Sequence, residues 1–182
     1  MSGKPPSRRE DFEIAIVCAL SLEFSAVSLV FDQFWDKQGD RYGKAAGDTN
    51  NYRTGRIGKY NVVLALLPQM GKSNAAVAIT SLRSSYACLR LALLVGICGG
   101  VPRTRSGDEI LLGDVIISRI VVQHDFGRQY PDRFVRKETL DDNLAKPNKD
   151  IRSLLALLED AFVKEDLEER TAFFLDKLQE AD

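Results

Sequence analysis

Two consecutive apolar segments in the middle of the chain limit its fold more than any other feature of the sequence. Residues 91–97 (LALLVGI) and residues 114–122 (DVIISRIVV) are apolar without the regular alternation of a half-exposed strand. Such strands, buried on both faces, are typical of the middle of a parallel sheet, which binds ligands beyond the carboxyl ends of its strands. The turn of Cys98, Gly99 and Gly100 follows the first segment, and adjacent glycines let a backbone approach a small molecule closely. We therefore predict two buried strands with a ligand site at this turn.

The first third of the chain adds further strands. Residues 12–20 (FEIAIVCAL) predict a first strand, with Ser21 as the N-cap of a following helix. Residues 52–57 and residues 60–66 are joined by two residues that begin with Gly58, which predicts a β-hairpin. The hairpin makes the predicted sheet mixed.

The predicted helices alternate with the predicted strands, a pattern that is typical of α/β proteins. Ser73 or Asn74 is predicted to cap a long helix whose alanines allow close packing on a sheet. A helical pattern begins at Lys149, and a second C-terminal helix is expected after residues 164–166, whereas the polar residues 123–148 predict a surface excursion. The alternation predicts a three-layer α/β/α fold around a central mixed, mostly parallel sheet.

Composition limits the domain organisation and the partners. A chain of 182 residues that is 45% hydrophobic predicts a single domain over residues 12–182 behind a disordered polar tail at residues 1–11. The 25 Lys and Arg balance 26 Asp and Glu, so nothing in the charge favours nucleic acid or an anionic membrane. No apolar run reaches the ~18–20 residues of a membrane span. An odd number of cysteines (Cys18, Cys88 and Cys98), each in or beside an apolar segment, favours a reducing compartment, and we expect a cytoplasmic protein.

Glu23 is the first candidate for chemistry. It follows the first predicted strand, where a carboxylate can act as a general base or accept a hydrogen bond from a ligand hydroxyl. An acidic residue in the first turn of a helix more often compensates the helix dipole, by about two to one. Both interpretations stay open at the level of sequence.

Other motifs carry weaker signals. Gly71-Lys72-Ser73 is similar to the end of a phosphate-binding loop, but Leu66 stands where the first glycine of that loop belongs. The start of this helix is still a candidate for binding an anion or a ribose through backbone N–H groups. His124 is the sole histidine and the cysteines lack ligand spacing, so we expect no metal and no cofactor.

Four stretches stand in the order and spacing of one known family: IAIVCALSLEF from Ile14, MGKSNAA from Met70, VGICGGVP from Val95 and GDVIISRIVVQHDFG from Gly113. Through them the chain resembles the nucleoside phosphorylase / methylthioadenosine-adenosylhomocysteine nucleosidase superfamily over residues 13–136. It is most similar to the subgroup that forms the N-terminal domain of large fungal receptor-like signalling proteins, in which nucleotide-switch and repeat modules follow.

The resemblance implies cleavage of the N-glycosidic bond of a purine nucleoside, by water or by phosphate. It implies that Glu23 positions or activates the attacking water and that Gly71 and Ser73 border the ribose or nucleophile pocket. Its implied partners are a small-molecule nucleoside, with or without phosphate, and either a second copy of the chain or downstream signalling domains. The remaining residues implied to line the ligand site are Val95, Gly96, Ile97, Cys98, Gly99 and Gly100.

The chain departs from the family pattern in two respects. Phosphorylases hold phosphate with an Arg and a Ser where this chain has Leu94 and Ile97, whose side chains form no hydrogen bonds. Hydrolysis, or binding without catalysis, is therefore favoured over phosphorolysis. The family's ribose-binding Glu and base-protonating Asp have no counterpart in these residues, so we expect a truncated domain with weak or absent turnover. The alternative is a non-catalytic nucleoside-sensing or protein-interaction domain of a signalling receptor.

A truncated domain predicts an unpaired sheet edge and exposed apolar surface, which favour association. Size-exclusion chromatography is expected to show species larger than a monomer, and hydrogen exchange is expected to show weak protection in residues 91–122. A compact monomer with strongly protected amides throughout this segment would contradict the expectation.

Overall fold

A computed structural model describes six parts of the chain: residues 4–37, 39–104, 107, 109–121, 125–136 and 147–180. The chain forms two compact units, Met1–Gly99 and Gly100–Asp182. Two compact units can belong to one domain, so the single domain expected over residues 12–182 stays a prediction. The strands and helices are, in chain order, β1 (Ile14–Cys18), α1 (Ser21–Leu29), β2 (Gln33–Phe34), β3 (Tyr52–Ile57), β4 (Tyr60–Leu66), α2 (Lys72–Ser85), β5 (Leu91–Leu94), β6 (Gly127–Gln129), β7 (Phe134–Arg136), α3 (Lys149–Leu157) and α4 (Ala161–Gln179).

The first unit contains a five-stranded mixed sheet in the order β2-β3-β4-β1-β5. The three strands β4, β1 and β5 are parallel, with Cys18 opposite Leu66 and Val17 opposite Leu94. Strands β2 and β3 extend the sheet in antiparallel pairing. Because the parallel strands end in register, the segments that follow them leave the sheet at one common edge, where α/β sheets bind ligands. We call this the carboxyl edge.

Helices cover both faces of this sheet. Successive residues of a strand point to opposite faces, so Val17 shares a buried cluster with Leu82 of α2, whereas Cys18 shares one with Val27 of α1. One helix lies on each side of a mixed sheet with parallel central strands. This arrangement confirms the α/β/α fold class.

The predicted hairpin is confirmed residue for residue, because β3 ends at Ile57 and β4 begins at Tyr60. Gly58 in the turn has a φ of 59°, in the left-handed region that favours glycine. The start of α3 agrees with the helical pattern that begins at Lys149, and in the structure the Asn148 side chain caps this helix by accepting a hydrogen bond from the Ile151 N–H at 2.9 Å.

The predicted helix caps are wrong. Helix α1 begins at Ser21 itself and α2 begins at Lys72, before Ser73 and Asn74. In the first case no side chain caps the first turn, and an acidic residue of the helix instead accepts hydrogen bonds from the N–H groups of Ala19 and Leu20, which precede it. In the second case Gly71 precedes the helix with a φ of 120°, a conformation that the glycine backbone provides without a capping side chain.

The central apolar segments differ most from their prediction. Strand β5 ends at Leu94 instead of residue 97 and forms the last strand of the described sheet, with Leu93 and Leu94 exposed by 41% and 78%. Residues 114–121 form no strand, and Val115 and Ile116 are exposed, while residue 122 lies outside the described residues. An apolar run predicts burial only where neighbours exist on both sides. In the described sheet β5 has one neighbour, β1.

The second unit is built from short elements. Strands β6 and β7 form an antiparallel hairpin inside the segment predicted as a surface excursion. Helix α4 begins at Ala161, earlier than predicted, because the Asp160 carboxylate accepts hydrogen bonds from the N–H groups of Phe162 and Val163 at 3.0 and 3.3 Å. Within the part of the chain that the structure describes, the helices are all too short or too polar to cross a bilayer. In the first unit, Arg9–Asp11 of the predicted disordered tail form a 3-10 turn.

Leu82 tests the packing of α2 on the sheet. Its side chain is 1% exposed, so Leu82→Ala leaves a cavity and is expected to lower the free energy of unfolding by about 2–5 kcal/mol. Chemical denaturation measures the loss. Val77→Ala, on the exposed side of the same helix, is the control and is expected to cost less than about 0.5 kcal/mol. Equal losses for the two variants would contradict the described packing.

Candidate functional site

Glu23 lies in the first turn of α1, just beyond the point where β1 reaches the carboxyl edge. Its side chain is 8% exposed. The Oε2 atom accepts hydrogen bonds from the backbone N–H groups of Ala19 and Leu20, with N···O distances of 3.0 and 2.9 Å. An acidic residue at the third position of a helix commonly reaches back in this way to the N–H that precedes the helix. The carboxylate therefore closes the turn between β1 and α1.

A second contact joins Glu23 to a distant part of the chain. Its Oε1 atom accepts a hydrogen bond from the Ile97 N–H at 2.9 Å, across 74 residues of sequence. Ile97 follows β5, and the Val95 N–H extends the pairing of β5 with β1 by donating to the Val17 carbonyl at 3.0 Å. A helix terminus does not require the contact with Ile97. Glu23 thus bonds two of the segments that leave the carboxyl edge.

These hydrogen bonds set the charge of the site. The N–H groups of Ile97, first, and of Leu20 hold the pKa of Glu23 below its ordinary value, against the opposing effect of burial. Glu23 is therefore ionised at neutral pH. Burial, and then the negative charge of Glu23, raises the pKa of the neighbouring Cys18 thiol, which stays protonated and is a poor nucleophile.

The structure brings three of the predicted site residues into direct contact: Glu23, Gly96 and Ile97. The register of β1 and β4 puts the segment that leads to Gly71 and Ser73 at the same carboxyl edge, and the Leu67 N–H donates to the Cys18 carbonyl there at 2.8 Å. The roles of all these residues in ligand binding stay predictions.

The predicted ligand segment, residues 95–100, is open to solvent throughout, including Gly96 and Ile97. Val95, Cys98 and Gly99 are exposed, and Cys98 is a free thiol. Gly100, also exposed, is the first residue of the second unit. His124 lies outside the described residues.

Backbone donors are the part of the site that the sequence did not reveal. The N–H groups of Ala19, Leu20 and Ile97 hold the carboxylate, yet no residue type marks a backbone N–H as a donor. The one usable signal is the spacing of Glu23 from Leu20, which is that of a capping interaction. It predicts the local bonds and says nothing of the Ile97 contact.

Two further observations concern metal ligands and cavities among the described residues. No group of three His, Cys, Asp or Glu side chains is placed among them to hold a metal ion. A cavity of about 280 Å³ in the second unit is lined by Arg119 and Glu159, which form an ion pair at 3.0 Å, and by neighbouring residues of α3. None of the predicted site residues lines this cavity.

Comparison with known proteins decides the family. Residues 13–168 match the sequence model of the family described as the Phosphorylase superfamily. The chain belongs to this superfamily. The match includes β1, β4, β5 and all four stretches on which the resemblance was stated, so the family assignment made from sequence is confirmed.

Two kinds of relative are similar to this phosphorylase-superfamily chain. A nucleotide-binding leucine-rich repeat (NLR)-like protein of Hyaloscypha variabilis is 34% identical over 139 residues, which are 73% of this chain and 14% of that protein. The 5'-methylthioadenosine/S-adenosylhomocysteine nucleosidases of Mycobacterium bovis and Mycobacterium tuberculosis are each 36% identical over 76 residues, 42% of this chain and 27% of theirs. The chain thus spans a minor part of each relative. No solved structure shows a significant match.

The lowered pKa of Glu23 predicts a pH-dependent contribution to stability. A carboxylate whose folded pKa lies below its unfolded value stabilises the fold above the unfolded pKa, and this stabilisation is lost as pH falls through the folded pKa. We expect Glu23→Gln to melt at a lower temperature than the wild type at neutral pH, and the difference to shrink as the pH falls below 4.5, the ordinary pKa of a glutamate side chain. Thermal melts across this range measure it.

Glu10→Gln is the control, since Glu10 is also acidic but exposed. Glu10→Gln is expected to have the same melting temperature as the wild type at every pH tested. If the difference in melting temperature between Glu23→Gln and the wild type does not change with pH, the charge of the carboxylate contributes nothing to stability.

Proposed function

We propose that this chain binds a purine nucleoside at the carboxyl edge of its parallel strands and belongs to a domain that cleaves the N-glycosidic bond. The observation that carries the proposal is the buried, ionised Glu23 carboxylate at this edge, held by three backbone N–H groups. Membership of the phosphorylase superfamily and the similarity to two nucleosidases support it. We place the protein in the cytoplasm, where its three free cysteines stay reduced.

Glu23 has one acceptor position left for chemistry. A carboxylate offers about four lone-pair positions, of which three are taken by Ala19, Leu20 and Ile97. The free position is on Oε1, which accepts a single bond. Its lowered pKa makes Glu23 a weak base, so its proposed role is to orient the attacking water and to stabilise positive charge on the ribose.

Water is favoured over phosphate as the nucleophile. The N–H groups of Ala19, Leu20 and Ile97 already bond a negative carboxylate, which repels a phosphate anion. No cation among the described residues forms an ion pair with Glu23. We therefore propose hydrolysis, with weak or absent turnover.

The similarity to the NLR-like protein favours a second candidate. The aligned residues form 14% of that protein, so the matching region is a small module of a much longer chain. Under this alternative, the same edge of the sheet binds a nucleoside without cleaving it, and the domain serves as a sensor or as a protein-interaction module.

Release of free base distinguishes the two candidates. Adenosine, inosine and methylthioadenosine are incubated with the chain, with and without phosphate, and free base is measured by HPLC. Catalysis predicts base release without phosphate, and a loss of about 100-fold or more in Glu23→Gln, since a preorganised group that stabilises developing charge contributes typically ~10²–10³-fold. Glu10→Gln is the matched control and is expected to retain the rate.

Calorimetry with the same nucleosides completes the test. Binding without base release would favour the sensor. The absence of both binding and base release would overturn the proposal of a nucleoside site.

A further inference from the structure

Gly96 lies against the Glu23 carboxylate with no room for a side chain. A Cβ atom built on Gly96 would lie 2.5 Å from Glu23 Oε1, 2.8 Å from Cδ and 3.1 Å from Oε2. Real Cβ atoms essentially never approach another heavy atom closer than 3.0 Å. Any other residue at this position would therefore displace the carboxylate or the backbone beside it.

Space, and not backbone conformation, is what requires glycine here. The glycines of the chain with positive φ include Gly58 and Gly71, but Gly96 is not among them. Its backbone is therefore open to any residue. The absence of a Cβ matters at Gly96 only because Glu23 occupies that space.

The close approach of the Glu23 carboxylate to Gly96 is needed for one of the three hydrogen bonds of Glu23 in particular. The bonds of Oε2 to the N–H groups of Ala19 and Leu20 lie within the β1–α1 turn, four and three residues from Glu23. The bond of Oε1 to Ile97 comes from the residue after Gly96, so the carboxylate has to lie beside Gly96 to accept it. A methyl group at Gly96 would displace the carboxylate and lengthen this bond most, because Oε1 is the carboxylate atom nearest to the added methyl group.

We propose that Gly96 is a positioning residue, which lets Glu23 accept the Ile97 N–H and thereby fixes the direction in which Oε1 offers its free acceptor position. The consequence for catalysis rests on the proposed function, whereas the steric relation between the two residues does not. This role differs from the ligand contact that the family resemblance implies for Gly96, because here the residue acts through Glu23.

A titration of the Glu23 side chain by NMR, with hydrogen exchange at the Ile97 amide, tests the proposal on the full chain without substrate. Gly96→Ala is expected to raise the apparent pKa of Glu23, because the Ile97 N–H is the main cause of its lowering. Exchange of the Ile97 amide is expected to accelerate about 10-fold or more, because the amide loses its hydrogen bond to a charged group. An unchanged pKa together with unchanged exchange would overturn the proposal.

Gly99→Ala is the matched control for these two measurements. It makes the same substitution in the same segment, where a Cβ would meet nothing within 4 Å and the φ is not positive. It is expected to leave the titration of Glu23 and the Ile97 exchange rate as in the wild type. Equal changes in both variants would assign the effect to the loss of glycine flexibility and would also overturn the proposal.

A double variant separates a steric conflict from general destabilisation. Glu23→Asp shortens the side chain by one methylene and makes room for the methyl group of Gly96→Ala. The stability loss of the double variant is expected to be smaller than the sum of the single losses, as for residues in contact. Additive losses would overturn the proposal, as would failure of both Gly96→Ala and the double variant to fold while Glu23→Asp folds.

The outcomes also separate this inference from the proposed function. If the wild type releases no base but Gly96→Ala alters the Glu23 titration, the positioning role holds and catalysis fails. If Glu23→Gln abolishes base release but Gly96→Ala leaves the titration and the exchange unchanged, catalysis holds and the positioning role fails.

Discussion

The hydrogen bond between the Glu23 carboxylate and the Ile97 N–H is the contact on which the candidate site depends. A buried charge is stable only when hydrogen bonds replace the water that it loses. Two donors come from the turn next to Glu23, and the third comes from a segment 74 residues away. That third donor is present only because β1 and β5 pair in parallel with Val17 opposite Leu94. The geometry of the site is therefore a consequence of sheet register.

One side chain thus combines a structural and a proposed chemical role. Three hydrogen bonds hold Glu23 rigidly and keep it ionised, which makes it an oriented acceptor and a weak base. Preorganised groups of this kind stabilise developing charge without rearranging during a reaction. The superfamily alone would not assign such a role, because one fold serves many functions. The assignment rests on what the carboxylate contacts.

Several apolar side chains between residues 91 and 121 are exposed to solvent, which bears on association of the chain. Leu94 at the sheet edge, and Leu112 and Ile117 in the second unit, are exposed although they are among the most apolar residues of the chain. Contiguous apolar surface in water favours association with other protein surfaces. The association expected from the sequence stays a prediction.

Local sequence by itself determined the β3–β4 hairpin, the start of α3, the alternation of strand and helix, and the family, because turns, periodic patterns and motifs depend on neighbouring residues. It also pointed to Glu23 and Gly96. Only the tertiary structure decided that β5 is the last strand of the described sheet, that residues 114–121 form no strand, and that Gly96 gives space to Glu23. These features depend on which strands pair and on which backbone N–H meets which oxygen. Backbone groups are the same in every residue but proline, so their long-range partners leave no pattern in the sequence.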